Sequence, residues 1–308
     1  MITEITDKRG AIAAYSASSS SSRSLRALLV PATLATCTLN IPLQPWVRMW
    51  LIAFSIFIAA KWLSWTRFTA ANRTTRARTF LYFALWPGMD PAPFAAPELS
   101  RRANHLPTSA SLPLAIANLL AGAILILLAA FASHPTPLTG WVGVVGFVLA
   151  LHFGLFGLIA AALQTSGLPV EPIMRAPILA QSVAEFWGAR WNTAFSYLAR
   201  TLILRPLGRR IGVNRGLLIV FLVSGLVHEA VISLPAGGGF GLPTGYFLLQ
   251  GFSCILERSA IGRRIGLEQG LRGRLFTFAA VASPAFWLFH PAFVRNVFLP
   301  MLRIHGAG

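Results

Sequence analysis

An all-α bundle of membrane-crossing helices is the fold class the sequence predicts, and three observations predict it. Of 308 residues, 55% are hydrophobic and only 11% charged, against about 25% charged in an ordinary soluble domain. The apolar residues gather into runs long enough to cross a bilayer. The basic residues are confined to alternate connecting segments. Together these predict an integral membrane protein of about seven to eight spans plus interfacial helices.

The elements follow in chain order. The opening MITEITDKRGAIAAYSASSSSSRS has no apolar h-region before its serine run and no small-residue cleavage site after one, so it does not read as a secretory signal peptide. Residues 1–24 are expected to form a disordered Ser-rich cytoplasmic tail, too polar to pack, and residues 25–308 a single multi-pass domain. Spanning runs fall at about 27–43, 47–64, 112–132, 139–163, 216–234, 243–257 and 275–294, the first diluted by Pro31. RTFLYFALWPGMDPAPF (78–94) has too few apolar residues before Pro87 and Gly88 for a full crossing and reads as an interfacial or re-entrant piece. Residues 177–207 interleave Trp187, Trp191, Phe195 and Tyr197 with Glu185, Arg190, Arg200 and Arg205, which describes helices lying at the cytoplasmic interface.

The net charge of +17 would suggest nucleic acid in a soluble protein. Here it reads as topology. With seven spans, the Arg-rich segments 65–111, 164–215 and 258–274 share one face with the N-terminus, leaving Arg48, Arg295 and Arg303 on the other. The positive-inside rule puts the N-terminus in the cytoplasm. Arginine greatly outnumbers lysine, a mark of GC-rich coding that points to a bacterial inner membrane. Cys37 and Cys254 are too far apart for a metal motif or a disulfide framework and are expected as buried thiols.

Within the run RGLLIVFLVSGLVHEAVISLPAGGG (215–239) sit His228 and Glu229. An ionisable group at that depth costs about 2.5–3.5 kcal/mol or more, so it persists mainly where it faces protein or a wet cavity. A neutral imidazole can accept a proton there; the alternative is a packing histidine bonded to Ser224 one turn back. Glu229 points about 100° away around the helix and does not orient the ring directly. His152 and His290 read as packing or interface residues, although FWLFHPAF could bring His290 near the same cavity. HEAVIS lacks the second histidine of a zinc protease, so no metal is expected, and AGGGFG lacks the strand context of a dinucleotide loop. There is no nucleophile elbow and no internal repeat of the transporter kind.

EFWGARWN (185–192), followed by VSGLVHE (223–229) in an apolar span, resembles the paired signature of the membrane-bound O-acyltransferases, specifically their wax-synthase-like branch; WPGMDP (86–91) and FHPAF (289–293) are similar to that branch too. The resemblance implies a helical fold with a central tunnel, His228 as catalytic base, Asn192 as second catalytic residue, and no cofactor beyond acyl-CoA as co-substrate. The partners it implies are acyl-CoA, a lipophilic alcohol such as a long-chain alcohol or sterol, and membrane lipids, with no nucleic acid. Other branches of the family imply a glycan or other envelope hydroxyl as acceptor. A transporter or lipid-binding protein, with His228 and Glu229 lining a path, is the reading from a different class.

The chemistry stands apart from the name. An alcohol is a poor nucleophile near neutral pH, and a positioned imidazole that takes its proton contributes about 10²–10⁴ in rate. The Asn192 amide can donate to a carbonyl or developing oxyanion; the alternatives are that it holds backbone at a broken helix or orients the histidine. Arg190, Arg200, Arg205, Arg209 and Arg210 suit the CoA phosphates or, equally, anionic headgroups. Trp187 and Trp191 are expected as wall aromatics of the substrate site, with Ser224 and Glu229 beside the histidine.

Overall fold

The computed structural model describes residues 41–68, 74–95, 110–134 and 136–303. The expected serine-rich tail, nearly all of the first apolar run and Cys37 therefore lie outside the described residues. Among the described residues all regular structure is helical.

Among the described residues four helices are long and apolar enough to cross a membrane, fewer than the seven to eight spans expected: α1 (Pro45–Arg67), α2 (Leu112–Ala130), α3 (Pro137–Thr165) and α4 (Val213–Ala236). Prolines at the first or second position of α1, α2 and α3 start them without forfeiting a helical hydrogen bond. Thr136 and Thr139 close a reciprocal cap at the head of α3, with bonds of 3.2 and 2.9 Å. Helix α5 (Leu242–Glu257) has only 16 residues, about 24 Å at 1.5 Å per residue, and it buries Tyr246, Phe247, Gln250, Cys254 and Glu257 along one face. It is the central helix of the bundle. A last pair, α6 (Gly270–Leu288) and α7 (Pro291–Leu302), is long and apolar enough only when taken together and is bent by 52° at its break, the form of a broken span or a re-entrant loop.

Small residues let the antiparallel pairs approach closely, the usual device where lipid removes the hydrophobic drive between helices. On α2 and α3, a Cβ at Gly122 would lie 2.8 Å from the Cβ of Ala150, and one at Gly157 3.0 Å from that of Ala115. On α4 and α5, a Cβ at Gly225 would lie 2.7 Å from the Cα of Thr244, and one at Gly251 3.1 Å from the Leu218 side chain. Outward-facing Leu114, Leu120, Ile124 and Leu128 give α2 an apolar flank, all of them more than half exposed.

The hairpin turns define two faces. Asn296 donates to the Ala236 carbonyl (2.9 Å), Arg303 to Ala132 (2.5 Å) and the Trp50 indole to the Met301 sulfur (3.4 Å). These contacts put the start of α1, both hairpin turns and the end of α7 on one face. On the opposite face Gln164 accepts from the Ala110 amide (2.9 Å) and Gln181 from that of Gly270 (3.0 Å). Arg67, Arg209, Arg210, Arg215, Arg258, Arg263, Arg264, Arg272 and Arg274 sit at or beside the helix ends that meet that second face, and Arg48, Arg295 and Arg303 towards the first.

The WPGMDP stretch is tucked inward. Tyr82, Met89 and Phe94 are fully buried, and buried Lys61 reaches from α1 to donate to the carbonyls of Tyr82 (2.5 Å) and Gly88 (2.8 Å). Its ammonium also lies 3.5 Å from the Tyr82 ring centroid.

Six helical turns among the described residues are π-helical, at 81–85, 149–155, 186–190, 200–204, 229–233 and 294–298. Such one-turn widenings re-aim neighbouring side chains and concentrate at functional sites. One holds His152, one holds Trp187 and Arg190, and one begins directly after His228.

Candidate active site

The site is organised from α5. The Glu257 carboxylate accepts the backbone N–H groups of Val183 (2.7 Å) and Ala184 (2.9 Å), capping the short helical turn Val183–Glu185 from a different element. Seven residues earlier on the same face, the fully buried Gln250 accepts from the Trp187 indole (3.2 Å) and donates to the Ala280 carbonyl of α6 (2.8 Å). Between the two anchors α5 rises about 10 Å. The 183–190 segment therefore runs into the bundle beside α5, and the expectation that 177–207 lies wholly at the interface is corrected for this part. Its apolar residues carry it there. Val183 is fully buried, and the Trp187 ring packs 6.2 Å from Phe221 and 5.5 Å from Phe247. The later pieces, Thr193–Ala199 through Arg205–Ile211, keep Phe195, Tyr197, Arg200, Arg205, Arg209 and Arg210 exposed, as an interfacial position requires.

His228 closes the regular part of α4. Its Nδ1 lies 2.7 Å from the Ser224 carbonyl. A carbonyl only accepts, so Nδ1 carries the proton and Nε2 presents a lone pair. Among the described residues nothing hydrogen-bonds Nε2, and it is not among the sealed polar atoms. The imidazole lies 4.4 Å from the Phe247 ring centroid. His228, Phe247 and Trp187 thus form a continuous run of tilted ring contacts that joins the two motifs. Ser224 contributes through its backbone; its hydroxyl donates to Val220 (3.0 Å).

Glu229 points elsewhere. One oxygen accepts from the backbone N–H of Gly241 (2.9 Å) and of Thr244 (3.1 Å) and from the Thr244 hydroxyl (3.0 Å), capping the head of α5. Its other oxygen is buried and unpartnered among the described residues. Glu229 and Glu257 therefore hold the two ends of the same helix. His290, fully buried, accepts the Phe293 amide on Nδ1 (3.1 Å) and so donates from Nε2 to the Ser233 hydroxyl (3.2 Å). Both of its nitrogens are engaged in packing.

Asn192 follows Trp191 in a left-handed conformation, φ +43°, where asparagine is among the few tolerated side chains. The segment 173–176 is laced to it: Arg175 N donates to Arg190 O (2.8 Å), Thr193 N to Ile173 O (3.0 Å), and Asn192 N lies 3.3 Å from the Met174 sulfur. The Ser196 hydroxyl donates to the Trp187 carbonyl. No hydrogen bond among the described residues engages the Asn192 carboxamide. It makes no hydrogen bond to His228 either; rings link the two. Trp191 stacks on Phe186 (5.6 Å, 12°), which meets Trp187 edge-on at 5.1 Å. The other stacking partner of Trp191 is His152 of α3, at 5.9 Å and 22°.

Arg190 is occupied within the protein. Its Nε pairs with Glu185 (2.6 Å), and Nη1 donates to the carbonyls of Arg175 (3.1 Å) and Ala176 (3.3 Å). Burial works to raise the Glu185 pKa, but the Gln181 amide and the Arg190 guanidinium outweigh it and hold the carboxyl below its ordinary range. Arg175 forms a second ion pair with Glu171.

Gln250, Glu257 and Phe247 escaped the reading of the sequence. The signal was there: two polar residues seven apart in an apolar run fall on one helical face. Among the described residues no three His, Cys, Asp or Glu side chains gather as a metal site.

Residues 170–249 match the model of the membrane bound O-acyl transferase family. That stretch contains every residue singled out in the two motifs. Over 146 residues the chain is 33% identical to "Probable long-chain-alcohol O-fatty-acyltransferase 7" of Arabidopsis thaliana, covering 42% of each chain. It is 31% identical over 162 residues to the long-chain-alcohol O-fatty-acyltransferase of Simmondsia chinensis, covering 49% of this chain and 46% of that one. An acyl-CoA–sterol O-acyltransferase of Arabidopsis thaliana is 30% identical over 166 residues, 47% of this chain and 45% of that one. The chain thus spans less than half the length of these relatives. No solved structure matches it. Through residues 170–249 the chain is similar to the membrane bound O-acyl transferase family, and the relatives it matches are named for acyl transfer to long-chain alcohols and to sterols.

Proposed function

We propose that this integral membrane protein transfers a fatty acyl group from acyl-CoA to the hydroxyl of a lipophilic alcohol. One observation carries the reading: the Ser224 carbonyl fixes His228 as the tautomer whose free Nε2 has a lone pair, and Phe247 joins that ring to Trp187 of the second motif. Nε2 takes the alcohol proton as the oxygen attacks the thioester carbon. The new C–O bond forms, the C–S bond breaks, and the imidazolium returns the proton to the departing CoA sulfur. Ester and CoA leave, and the histidine is regenerated. The Asn192 carboxamide donates to the carbonyl oxygen as it gains charge, a contact worth about 2.7–4 kcal/mol when preorganised.

In this reading the acyl chain and the alcohol enter from lipid by a tunnel between α4, α5 and the 183–192 segment. The CoA phosphates stay outside, against the exposed arginines at 200, 205, 209 and 210. Arg190 orders the loop around Asn192. The Arg-rich face is the cytoplasmic one and the source is bacterial. The names of the relatives support long-chain alcohols as the first acceptors to try, with sterols second.

The test uses purified protein, labelled palmitoyl-CoA and a panel of hexadecanol, a sterol and a glycan acceptor, with CoA release and extracted lipid as readouts. The expected product is the hexadecanol ester. Ester on the glycan alone would reassign the acceptor; no ester on any acceptor would refute the reading.

A further inference from the structure

We propose that His152 supplies a second hydrogen-bond donor to the reacting carbonyl, from its Nε2–H, beside the Asn192 carboxamide. The inference rests on the acyl-transfer reading above. It concerns a residue outside the matched stretch 170–249.

His152 lies in the π-helical turn 149–155 of α3. Two residues on, Gly154 packs against α2, where an added Cβ would come 2.9 Å from that of Leu119. The α2 contact thus lies on another side of the turn from the imidazole, which stacks on Trp191 and meets Phe156 edge-on at 5.5 Å. Trp191 immediately precedes Asn192. His152 thus reaches, through the Trp191 ring, the residue next to Asn192, a placement that neither α3 nor the 186–192 segment would build alone.

The two ring nitrogens differ. Nδ1 is sealed from solvent and has no partner among the described residues, whereas Nε2, also without one, is not sealed. An orphaned buried N–H is rarer and costlier than an orphaned lone pair. The neutral ring therefore keeps its lone pair on the closed Nδ1 edge and its proton on the open Nε2 edge. His152 and His228 are opposite tautomers: one offers a donor, the other an acceptor. Acyl transfer needs both. As the alcohol oxygen bonds to carbon, an electron pair moves onto the carbonyl oxygen, and on collapse it returns as the C–S bond breaks. His152 gives up no proton; its N–H is a fixed dipole at the oxygen.

The test compares His152→Phe, which keeps an aromatic ring against Trp191, with His152→Gln, whose Nε2 amide can reach the same place. A preorganised donor of this kind is worth about 10²–10³ in kcat. His152→Phe is expected to lose about that factor with KM for palmitoyl-CoA little changed, and His152→Gln to recover at least a tenth of the wild-type rate. As a second measurement, 15N-histidine protein is given a palmitoyl-CoA ketone analogue with methylene in place of sulfur, and the resonance missing from His152→Gln should move. Undiminished kcat in His152→Phe, or a resonance that stays put, overturns this inference alone. Absence of ester from the wild type overturns the acyl-transfer reading and this inference with it.

Discussion

Replacing Glu257, which touches no reacting group, should cripple the site from a distance. The carboxylate is 1% exposed and holds two amides, at 2.7 and 2.9 Å. Hydrogen bonds to a charged acceptor contribute about 1.5–3 kcal/mol each. Glu257→Leu removes both and orphans the buried Val183 and part-buried Ala184 N–H groups, a loss of about 3–6 kcal/mol. Glu257→Gln keeps one oxygen but turns an NH2 toward the second amide, so about half of that is expected. The 183–190 segment then loses its anchor, Trp187 drifts from Gln250, and Phe247 is freed against His228. A displacement of about 1 Å in a reacting geometry can cost 10²-fold in rate. Reversible unfolding in mixed SDS micelles measures the stability, and CoA release the rate. A coupled pair should appear as non-additivity between Glu257→Gln and Trp187→Phe in a double-mutant cycle. Wild-type stability and kcat in Glu257→Leu would show that the cap holds nothing that the chemistry needs.

Other expectations follow from the same geometry. His228→Ala should lower the acyl-transfer rate by about 10²–10⁴ while the protein inserts and purifies as before, checked by size exclusion in detergent beside the CoA assay. Glu229→Gln keeps an acceptor oxygen for Gly241 and Thr244 and should retain most activity, whereas Glu229→Ala should lower the melting temperature and weaken protection of the head of α5 in hydrogen exchange. Gly225→Val drives a side chain into Thr244, and overpacking of this kind costs about 1–3 kcal/mol, visible as reduced folded yield. Because the Glu185 pKa is held down in the folded protein, its contribution to stability is present above the unfolded carboxyl pKa, about 4.3, and is lost as pH falls through the lower folded value. The acid limb of a stability–pH curve should flatten in Glu185→Gln.

Much of the bundle could be read directly because its signals are one-dimensional. Span length and the concentration of arginine in alternate loops each act within a few residues, and α1 to α4 follow from them. The parts that could not be read depend on partners far along the chain. Whether 183–190 lies on the membrane surface or inside it is decided by Glu257 and Gln250, some seventy residues away, and nothing in FWGAR itself records them. The same holds for Arg190, whose charge suggested phosphate yet whose donors close a local brace. His152 looked like one more packing histidine because its context, Trp191, lies on another element. The paired motifs point to His228 and Asn192 from within the sequence, and the tilted ring contacts from imidazole to indole are how the fold relates the two motifs.

The left-handed backbone at Asn192 changes how that residue must be probed. An alanine there would lose the carboxamide and also resist a positive φ, adding about 1 kcal/mol of backbone strain to whatever chemistry disappears. Glycine accepts the conformation freely, so the difference between the two substitutions separates the shape of the chain from the work of the amide.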